Sequence, residues 1–195
     1  MEKLTIKKYP HPILKHKSKP ITKIDAVLKE TVREMFELMY ETEGVGLAAN
    51  QVGIPYQFFV MNVSGQREKP EDEYVFINPV IHKKKGKEED EEGCLSFPEI
   101  RSPVVRAAEI ELEGISLEGK PLRFTWKGLL ARAVQHEVDH LKGTSFVERL
   151  TEPAFVEIRE RLAELETQFE TDQRLGLIPS HEELEAQIAQ WNEKW

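Results

Sequence analysis

The feature that most constrains the fold of this 195-residue chain is the run His136-Glu137-Val138-Asp139-His140. Residues four positions apart lie on the same face of an α-helix, so a helix brings the two imidazoles together. Two nitrogens placed in this way can bind one divalent metal ion, and Glu137 can then reach a metal-bound water as a general base. The run therefore predicts a helix whose histidine face lines a cavity, with a chance match on an ordinary amphipathic helix as the alternative.

The flanking sequence predicts that this helix begins near Gly128 and ends at Gly143. Three apolar residues fall on a different side from the histidines and are expected to anchor the helix in the core: Leu130, Val134 and Leu141. Three others lie one turn before the histidines and are expected to face the same cavity: Leu129, Arg132 and Ala133. The aliphatic stem of Arg132 is expected to line apolar space while its charge reaches water.

Two histidines leave a tetrahedral metal without a third protein ligand, and Cys94 is the only cysteine of the chain. A thiolate is a strong soft ligand, and the preceding Gly93 lets the backbone approach closely. A Cys-His-His site leaves one position for water, which is typical of catalytic sites. The alternatives are a buried apolar role for Cys94 and a third ligand from a later glutamate or from His181.

Small residues dominate the segment 44–53, GVGLAANQVG. A phosphate-binding loop is a poor interpretation, because the segment follows a predicted helix and lacks both the third spaced glycine and a lysine. The composition suits a loop whose backbone lies against another chain, with a flexible connection as the alternative. Gln51 supplies an amide donor among otherwise apolar neighbours.

Capping residues and apolar spacing predict three further helices. One runs from Asp25 to about Thr42, one starts near Thr151 with Pro153 in its first turn, and one starts at Ser180. The helix that starts near Thr151 has an apolar stripe at Phe155, Ile158, Leu162, Leu165 and Phe169. The helix that starts at Ser180 has one at Leu184, Ile188 and Trp191.

Strands are predicted at 57–63, 74–81 and 110–117, and residues 122–124 are expected to pair back after a turn at 119–120. Between the second and third of these strands, a basic block meets an acidic block. This contrast predicts a solvated hairpin tip that turns at Gly86, with a recognition patch as the alternative.

The net charge of −8 is unevenly distributed. Residues 151–195 carry 11 acidic and 4 basic side chains, net −7, whereas residues 1–150 carry 24 acidic and 23 basic side chains, net −1. This balance argues against a protein that binds nucleic acid through broad phosphate neutralisation. We expect one domain, with a metal-dependent catalytic body over 1–150 and a helical extension over 151–195 that packs on it or projects from it.

A single cysteine excludes an intramolecular disulfide framework, and no apolar run reaches the length of a membrane span. The first residues show neither the apolar run of a signal peptide nor the character of a transit peptide. We therefore expect a cytoplasmic protein.

Three segments, taken in order, resemble the peptide deformylase family. The family patterns G-x-G-x-A-A-x-Q, E-G-C-x-S and Q-H-E-x-D-H match residues 44–51, 92–96 and 135–140 at every fixed position. The resemblance extends from about Leu4 to about Leu165 and includes YPHPIL near the start, where His11 stands in place of a more frequent Asp. The end of the chain lies outside the resemblance.

The resemblance implies an α+β fold, in which antiparallel strands wrap around a central helix bearing the H-E-x-x-H motif, with additional C-terminal helices. It also implies hydrolytic removal of the formyl group from N-formylmethionine of newly made polypeptides. Cys94, His136 and His140 are expected to bind one metal ion, Fe²⁺ in the cell, with Zn²⁺, Ni²⁺ or Co²⁺ as alternatives. Formylated nascent peptides are the expected partners, a ribosome contact stays open, and neither membrane binding nor sequence-specific nucleic-acid binding is expected.

The same resemblance assigns roles to single residues. Glu137 takes a proton from water and delivers it to the leaving amine. The Gln51 amide and the backbone N–H of Leu95 stabilise the oxyanion. Glu92 and Arg106 form a supporting ion pair behind the metal loop. Substrate contacts fall on Val45, Gly46, Gly93, Arg101, Leu129, Arg132 and Ala133.

Two other functions stay open on the sequence. A metalloprotease is another H-E-x-x-H hydrolase, although such enzymes usually take the remaining ligand from a later segment and Cys94 accounts better for this chain. A non-catalytic metal-binding or peptide-binding module would have no use for Glu137 or Gln51. The sequence predicts neither the native metal, nor the oligomeric state, nor the role of Trp191 and Trp195.

Overall fold

The computed structural model describes residues 3–191. Its helices are α1 (Ala26–Glu41), α2 (Gly128–Leu141), α3 (Glu152–Arg174) and α4 (His181–Gln190). Its strands are β1 (Gly46–Ala48), β2 (Phe58–Met61), β3 (Tyr74–Lys85), β4 (Glu88–Cys94), β5 (Phe97–Arg106), β6 (Glu109–Ile115) and β7 (Pro121–Lys127). Short 3₁₀ helices near the site cover Ala49–Val52 and Phe146–Arg149.

The strands form two antiparallel sheets. Five strands pair in the order β1-β2-β3-β6-β7, and β4 pairs with β5 in a separate two-stranded sheet. Helix α2 lies against β1, β2, β6 and β7, where Val134 and Val138 pack with Phe59, Phe76 and Leu112 of the large sheet. Antiparallel strands around the helix that carries the motif, with further C-terminal helices, confirm the predicted fold class.

Local signals predicted the helices well. The side chains of Asp25, Thr151 and Ser180 each accept a hydrogen bond from a backbone N–H of the first turn, as an N-cap residue should. Helix α2 begins at Gly128 as predicted. It ends at Leu141, and Gly143 follows with a φ of +72°, a conformation that glycine adopts without strain.

The predicted strands are present with shifted ends. Strand β2 is shorter than 57–63, β3 extends beyond residue 81 to Lys85, and β6 starts one residue earlier than predicted. Residues 122–124 lie within β7 and pair back on β6.

The hairpin predicted between the basic and acidic blocks is wrong, although its turn is present. Gly86 turns the chain with a φ of +67°, but β3 pairs with β6, and β4 pairs with β5. Lys83 and Lys85 donate to Glu111 and Glu109 of β6, at 3.1 and 2.8 Å. The lysines therefore pair with carboxylates on a strand distant in sequence. The acidic block next to them in the chain suggested nearer partners.

Strand β5 has no counterpart in the prediction. Its inward positions from Ile100 to Arg106 alternate with exposed ones, but they include Ser102 and Arg106. Apolar alternation was therefore broken by two buried polar residues. As shown below, Arg106 belongs to the site.

The C-terminal helices pack on the rest of the chain. Ile158 and Leu162 of α3 are buried with residues of β5, and Ile188 of α4 packs with Ile13 and Leu14. The Tyr56 hydroxyl donates to the backbone oxygen of Trp191 at 2.6 Å.

The apolar stripe predicted for α3 is wrong at one position. Phe155 is 43% exposed, and the neighbouring Ala154 is buried instead. Of the two tryptophans whose role the sequence left open, Trp195 lies outside the described residues, and the division of the chain at residue 150 stays a prediction. Within residues 3–191, no helix combines the length and apolar character needed to cross a lipid bilayer.

Candidate metal centre and active-site cleft

Three side chains with metal-binding atoms meet at one point. Cys94 ends β4, and His136 and His140 lie one turn apart on α2. Cys94 Sγ and His136 Nε2 each lie 3.2 Å from His140 Nε2. The ligand atoms of all three residues lie within 4.8 Å of one another. The structure therefore brings together the three residues that the sequence analysis named as ligands.

This donor set fits a divalent transition metal. Bonds of about 2.3 Å to sulfur and about 2.0–2.1 Å to nitrogen place tetrahedral ligand atoms roughly 3.3–3.6 Å apart. The observed spacings of 3.2 Å are close to these values. Burial and the nearby His136 hold the pKa of His140 well below its ordinary value. Hydrogen bonds to Cys94 and Glu92 outweigh burial and raise the pKa of His136 well above its ordinary value, so a bound metal must displace a proton from that ring.

A buried carboxylate, Glu92, lies behind His136. It accepts a hydrogen bond from His136 Nδ1 at 3.0 Å, two from Arg106 at 2.9 Å, and one from Arg132 at 2.8 Å. Burial raises the pKa of Glu92, but the hydrogen bonds from Arg106 and His136 outweigh burial and bring it to about 2. The ionised carboxylate holds Nδ1 of His136, which leaves Nε2 directed at the metal site.

Arg132 corrects one expectation from the sequence. Its charge does not reach water, because the residue is only 7% exposed. The guanidinium donates to Glu92 and to the backbone oxygens of Val104 and Glu88, all within 2.9 Å. A buried guanidinium needs such partners. They come from β4 and β5, two strands that the sequence did not predict.

Another buried carboxylate, Asp139, lies inside the motif and had no predicted role. It accepts hydrogen bonds from Arg106 and, at 2.7 and 3.0 Å, from Arg149. The arginine hydrogen bonds and charges outweigh burial and lower the pKa of Asp139. The only signal in the sequence was an acidic residue between the two histidines. The arginine partners of Asp139 come from β5 and from the 3₁₀ helix after α2, which are not adjacent to it in the chain.

Glu137 is buried beside β1. Burial raises the pKa of its carboxyl to about 7. Its Oε2 is buried without a hydrogen-bond partner within residues 3–191, which is costly unless a ligand or water supplies one. Gly46 lies against this carboxylate so closely that a methyl group there would overlap Oε1. The second glycine of the small-residue segment therefore makes room for Glu137.

Gln51 reaches the metal site from the 3₁₀ helix after β1. Its Oε1 accepts from the backbone N–H of Ala48 at 2.9 Å, which fixes the orientation of the amide. Its Nε2 then lies 3.3 Å from Cys94 Sγ and 3.2 Å from Ser96 Oγ. Ser96 is a fixed position of the cysteine motif that the sequence analysis left without a role.

A cleft of about 480 Å³ opens beside the metal site. Val45 and Leu129 expose 39% and 56% of their surface, so part of its wall is apolar. Arg101 lies on β5 at the cleft and donates to Glu91 at 2.8 Å. The other predicted substrate and oxyanion residues also line it: Gly46, Gln51, Gly93, Leu95, Arg132 and Ala133.

An antiparallel α+β fold, a buried H-E-x-x-H helix and a facing cysteine define a metal-dependent hydrolase. Comparison with known proteins narrows this class. A sequence model of the polypeptide deformylase family matches residues 3–155. The chain belongs to the polypeptide deformylase family, whose activity is the removal of the formyl group from nascent peptides.

Relatives from distant organisms share most of the chain. A peptide deformylase of Rhodopirellula baltica is 43% identical over 188 residues, which cover 96% of this chain and 93% of the relative. The plant peptide deformylase 1B structure has a TM-score of 0.86 at 39% identity and covers 92% of this chain and 96% of its own. A Plasmodium falciparum peptide deformylase gives a TM-score of 0.83 at 39% identity, over 86% and 98% of the two chains.

These matches extend beyond the sequence resemblance. The motifs supported similarity only to about Leu165, whereas a match over 188 of 195 residues includes most of α3 and α4. The C-terminal extension is therefore shared with at least one relative.

Proposed function

We propose that Cys94, His136 and His140 hold one divalent ion, Fe²⁺ in the cell, with Zn²⁺, Ni²⁺ or Co²⁺ able to replace it. The observation that carries this proposal is the convergence of the three ligand atoms beside the buried Glu137. A divalent ion bound there lowers the pKa of water and polarises the formyl carbonyl.

Glu137 acts as the general base and then as the general acid. Its pKa of about 7 suits a group that takes a proton from water and returns it to the leaving amine. The buried position excludes bulk water from this carboxyl. Gly46 keeps the carboxylate at the wall of the cleft.

The oxyanion is stabilised by two donors. The Gln51 Nε2 group has its amide fixed through Ala48, so its N–H groups are directed at the metal site before substrate arrives. The backbone N–H of Leu95, adjacent to Cys94, is the second donor. Fixed donors of this kind contribute about 100-fold or more to turnover.

The peptide binds as an added strand. Among residues 3–191, strand β1 lies at the edge of the large sheet and pairs with β2. An extended peptide can therefore hydrogen-bond to the backbone of Val45 and Gly46. The methionine side chain enters the pocket bordered by Val45, Gly93, Leu129, Arg132 and Ala133, while Arg101 lies at its mouth.

The remaining proposals concern the setting of the reaction. Newly made formylated polypeptides are the substrates, so the protein works in the cytoplasm close to ribosomes. A metalloprotease reaction is disfavoured because Cys94, rather than a later glutamate, completes the ligand cluster.

Two variants separate metal binding from proton transfer. Glu137→Gln is expected to keep the metal, measured by elemental analysis, but to lose formate release from formyl-Met-Ala-Ser. Cys94→Ala is expected to lower the metal content itself. An active Glu137→Gln enzyme contradicts the base assignment, and unchanged metal occupancy in Cys94→Ala contradicts the ligand assignment.

A further inference from the structure

Asn50 connects the small-residue segment to the end of α2. It lies on the 3₁₀ helix Ala49–Val52 and is fully buried. Its Nδ2 donates to the backbone oxygen of His140 at 2.6 Å. This hydrogen bond also fixes the amide orientation, because the reversed amide would place an oxygen against that carbonyl.

Two buried polar atoms near this contact have no hydrogen-bond partner within residues 3–191: Asn50 Oδ1 and His140 Nδ1. They are chemically complementary. His140 Nε2 faces Cys94 and His136, so a metal bound at Nε2 leaves the ring proton on Nδ1, where it needs an acceptor. The amide oxygen of Asn50 is an acceptor without a donor.

The other histidine shows what such a partner does. His136 Nδ1 is held by the Glu92 carboxylate at 3.0 Å, which fixes both ring and tautomer. Metal-binding histidines almost always have a partner of this kind on the nitrogen away from the metal. His140 is 1% exposed, so bulk water does not supply one.

We propose that Asn50 is the positioning residue for His140. It binds the His140 carbonyl directly and accepts the Nδ1–H of the same residue across one bridging water, which fixes the ring with Nε2 toward the metal. This inference rests on the proposed ligand role of His140. Residue 50 is an open position of the pattern G-x-G-x-A-A-x-Q, so the motif itself assigns it no role.

The test compares metal retention in zinc-loaded variants of the full chain. Asn50→Leu fills a similar volume without hydrogen-bonding atoms, and loss of an outer partner typically costs about 10–100-fold in metal affinity. We expect zinc transfer to an excess of chelator to be at least about tenfold more favourable for Asn50→Leu than for the unmodified protein.

Asn78→Ala is the matched control. Asn78 also bonds to backbone with both side-chain atoms, here to Ile21 at 2.8 Å, but it lies on β3. Zinc retention like that of the unmodified protein is expected, whereas equal zinc loss in both variants assigns the effect to general destabilisation and overturns the proposal.

Nitrogen-15 NMR of the unmodified zinc protein gives an independent readout. We expect the His140 ring to carry its proton on Nδ1, with slow exchange against water. Rapid exchange of that proton overturns the proposal, and this readout does not depend on whether the variants fold. Zinc retention by Asn50→Leu equal to that of the unmodified protein also overturns it. If the unmodified protein itself fails to hold zinc, the ligand assignment fails, which is a distinct result.

Discussion

Gly46 shows how strongly single residues determine this site. Glycine at this position is needed for space, because the Glu137 carboxylate occupies the volume that a side chain would fill. The same carboxylate is buried with one oxygen unpartnered. Its position therefore depends on close contact with β1 rather than on hydrogen bonds to both oxygens.

Gly46→Ala is expected to displace Glu137 and lower kcat by about 100-fold, since a shift of about 1 Å in a reacting group can cost that much. Metal content should stay unchanged, because no ligand is touched. Gly176→Ala is the control for backbone strain without a clash, because nothing lies within 4 Å of that position while its φ is +70°. Full activity in Gly46→Ala would show that Glu137 tolerates displacement.

Glu137 also predicts a pH-dependent stability in the metal-free protein. Burial raises its pKa from 4.5 to about 7. The folded state therefore holds the proton more tightly than the unfolded state, and stability is lost as pH rises through 7. Glu137→Gln should raise the free energy of unfolding by up to about 3 kcal/mol near pH 8, with no difference below pH 4.5. Urea unfolding at both pH values measures this, and a pH-independent difference would contradict it.

At the scale of elements, α2 is joined to β4 and β5 by buried charges. Arg106 of β5 binds Glu92 of β4 and Asp139 of α2, and all three residues are at least 94% buried. The network holds the cysteine strand against the histidine helix. It therefore positions the proposed metal ligands through their neighbours.

Arg106→Met should lower the free energy of unfolding by about 3–5 kcal/mol, because two buried carboxylates each lose one of their arginine partners. Arg123→Met is the control, since Arg123 pairs with Glu113 while 74% of its side chain is exposed, and its loss should cost about 1 kcal/mol or less. Urea unfolding of both variants at neutral pH is the measurement. Equal, small effects would show that the buried network contributes little.

Features set by neighbouring residues were predictable from the sequence, whereas features set by residues far apart in the chain were not. Asp25, Thr151 and Ser180 act within one turn, so their capping roles follow from sequence, as does the shared face of His136 and His140. Strand pairing and buried charge partners depend on residues far apart in the chain. For this reason the partners of Lys83, the burial of Arg132 and the role of Asp139 were not predicted.

Across the whole molecule, net charge separates the C-terminal helices from the rest of the chain, whereas packing joins them. The extension 151–195 carries net −7, whereas the body is almost neutral at −1. Yet α3 and α4 are packed onto the body through Ile158, Leu162 and Ile188. Up to residue 191, the acidic segment is thus part of the same packed structure.

This division predicts that the extension is not a ribosome contact, because acidic side chains are repelled by RNA phosphates. Neutralising exposed carboxylates of α4 in Glu182→Gln/Glu185→Gln should leave co-sedimentation with ribosomes unchanged or strengthen it. These substitutions leave the packed face of α4 intact, whereas removal of the extension would expose the surface that it covers. Weaker co-sedimentation would place the contact on the extension after all.

The proposed activity of this chain is metal-dependent hydrolysis of a formyl group at Cys94, His136 and His140. Formate release from formyl-Met-Ala-Ser, by the full chain loaded anaerobically with Fe²⁺ or Ni²⁺, tests it most directly. We expect one formate and one free amino terminus for each peptide, with the Met–Ala bond intact. We also expect metal removal to abolish activity and reloading to restore it. No formate from either metal form, or cleavage of the peptide bond instead, would contradict it.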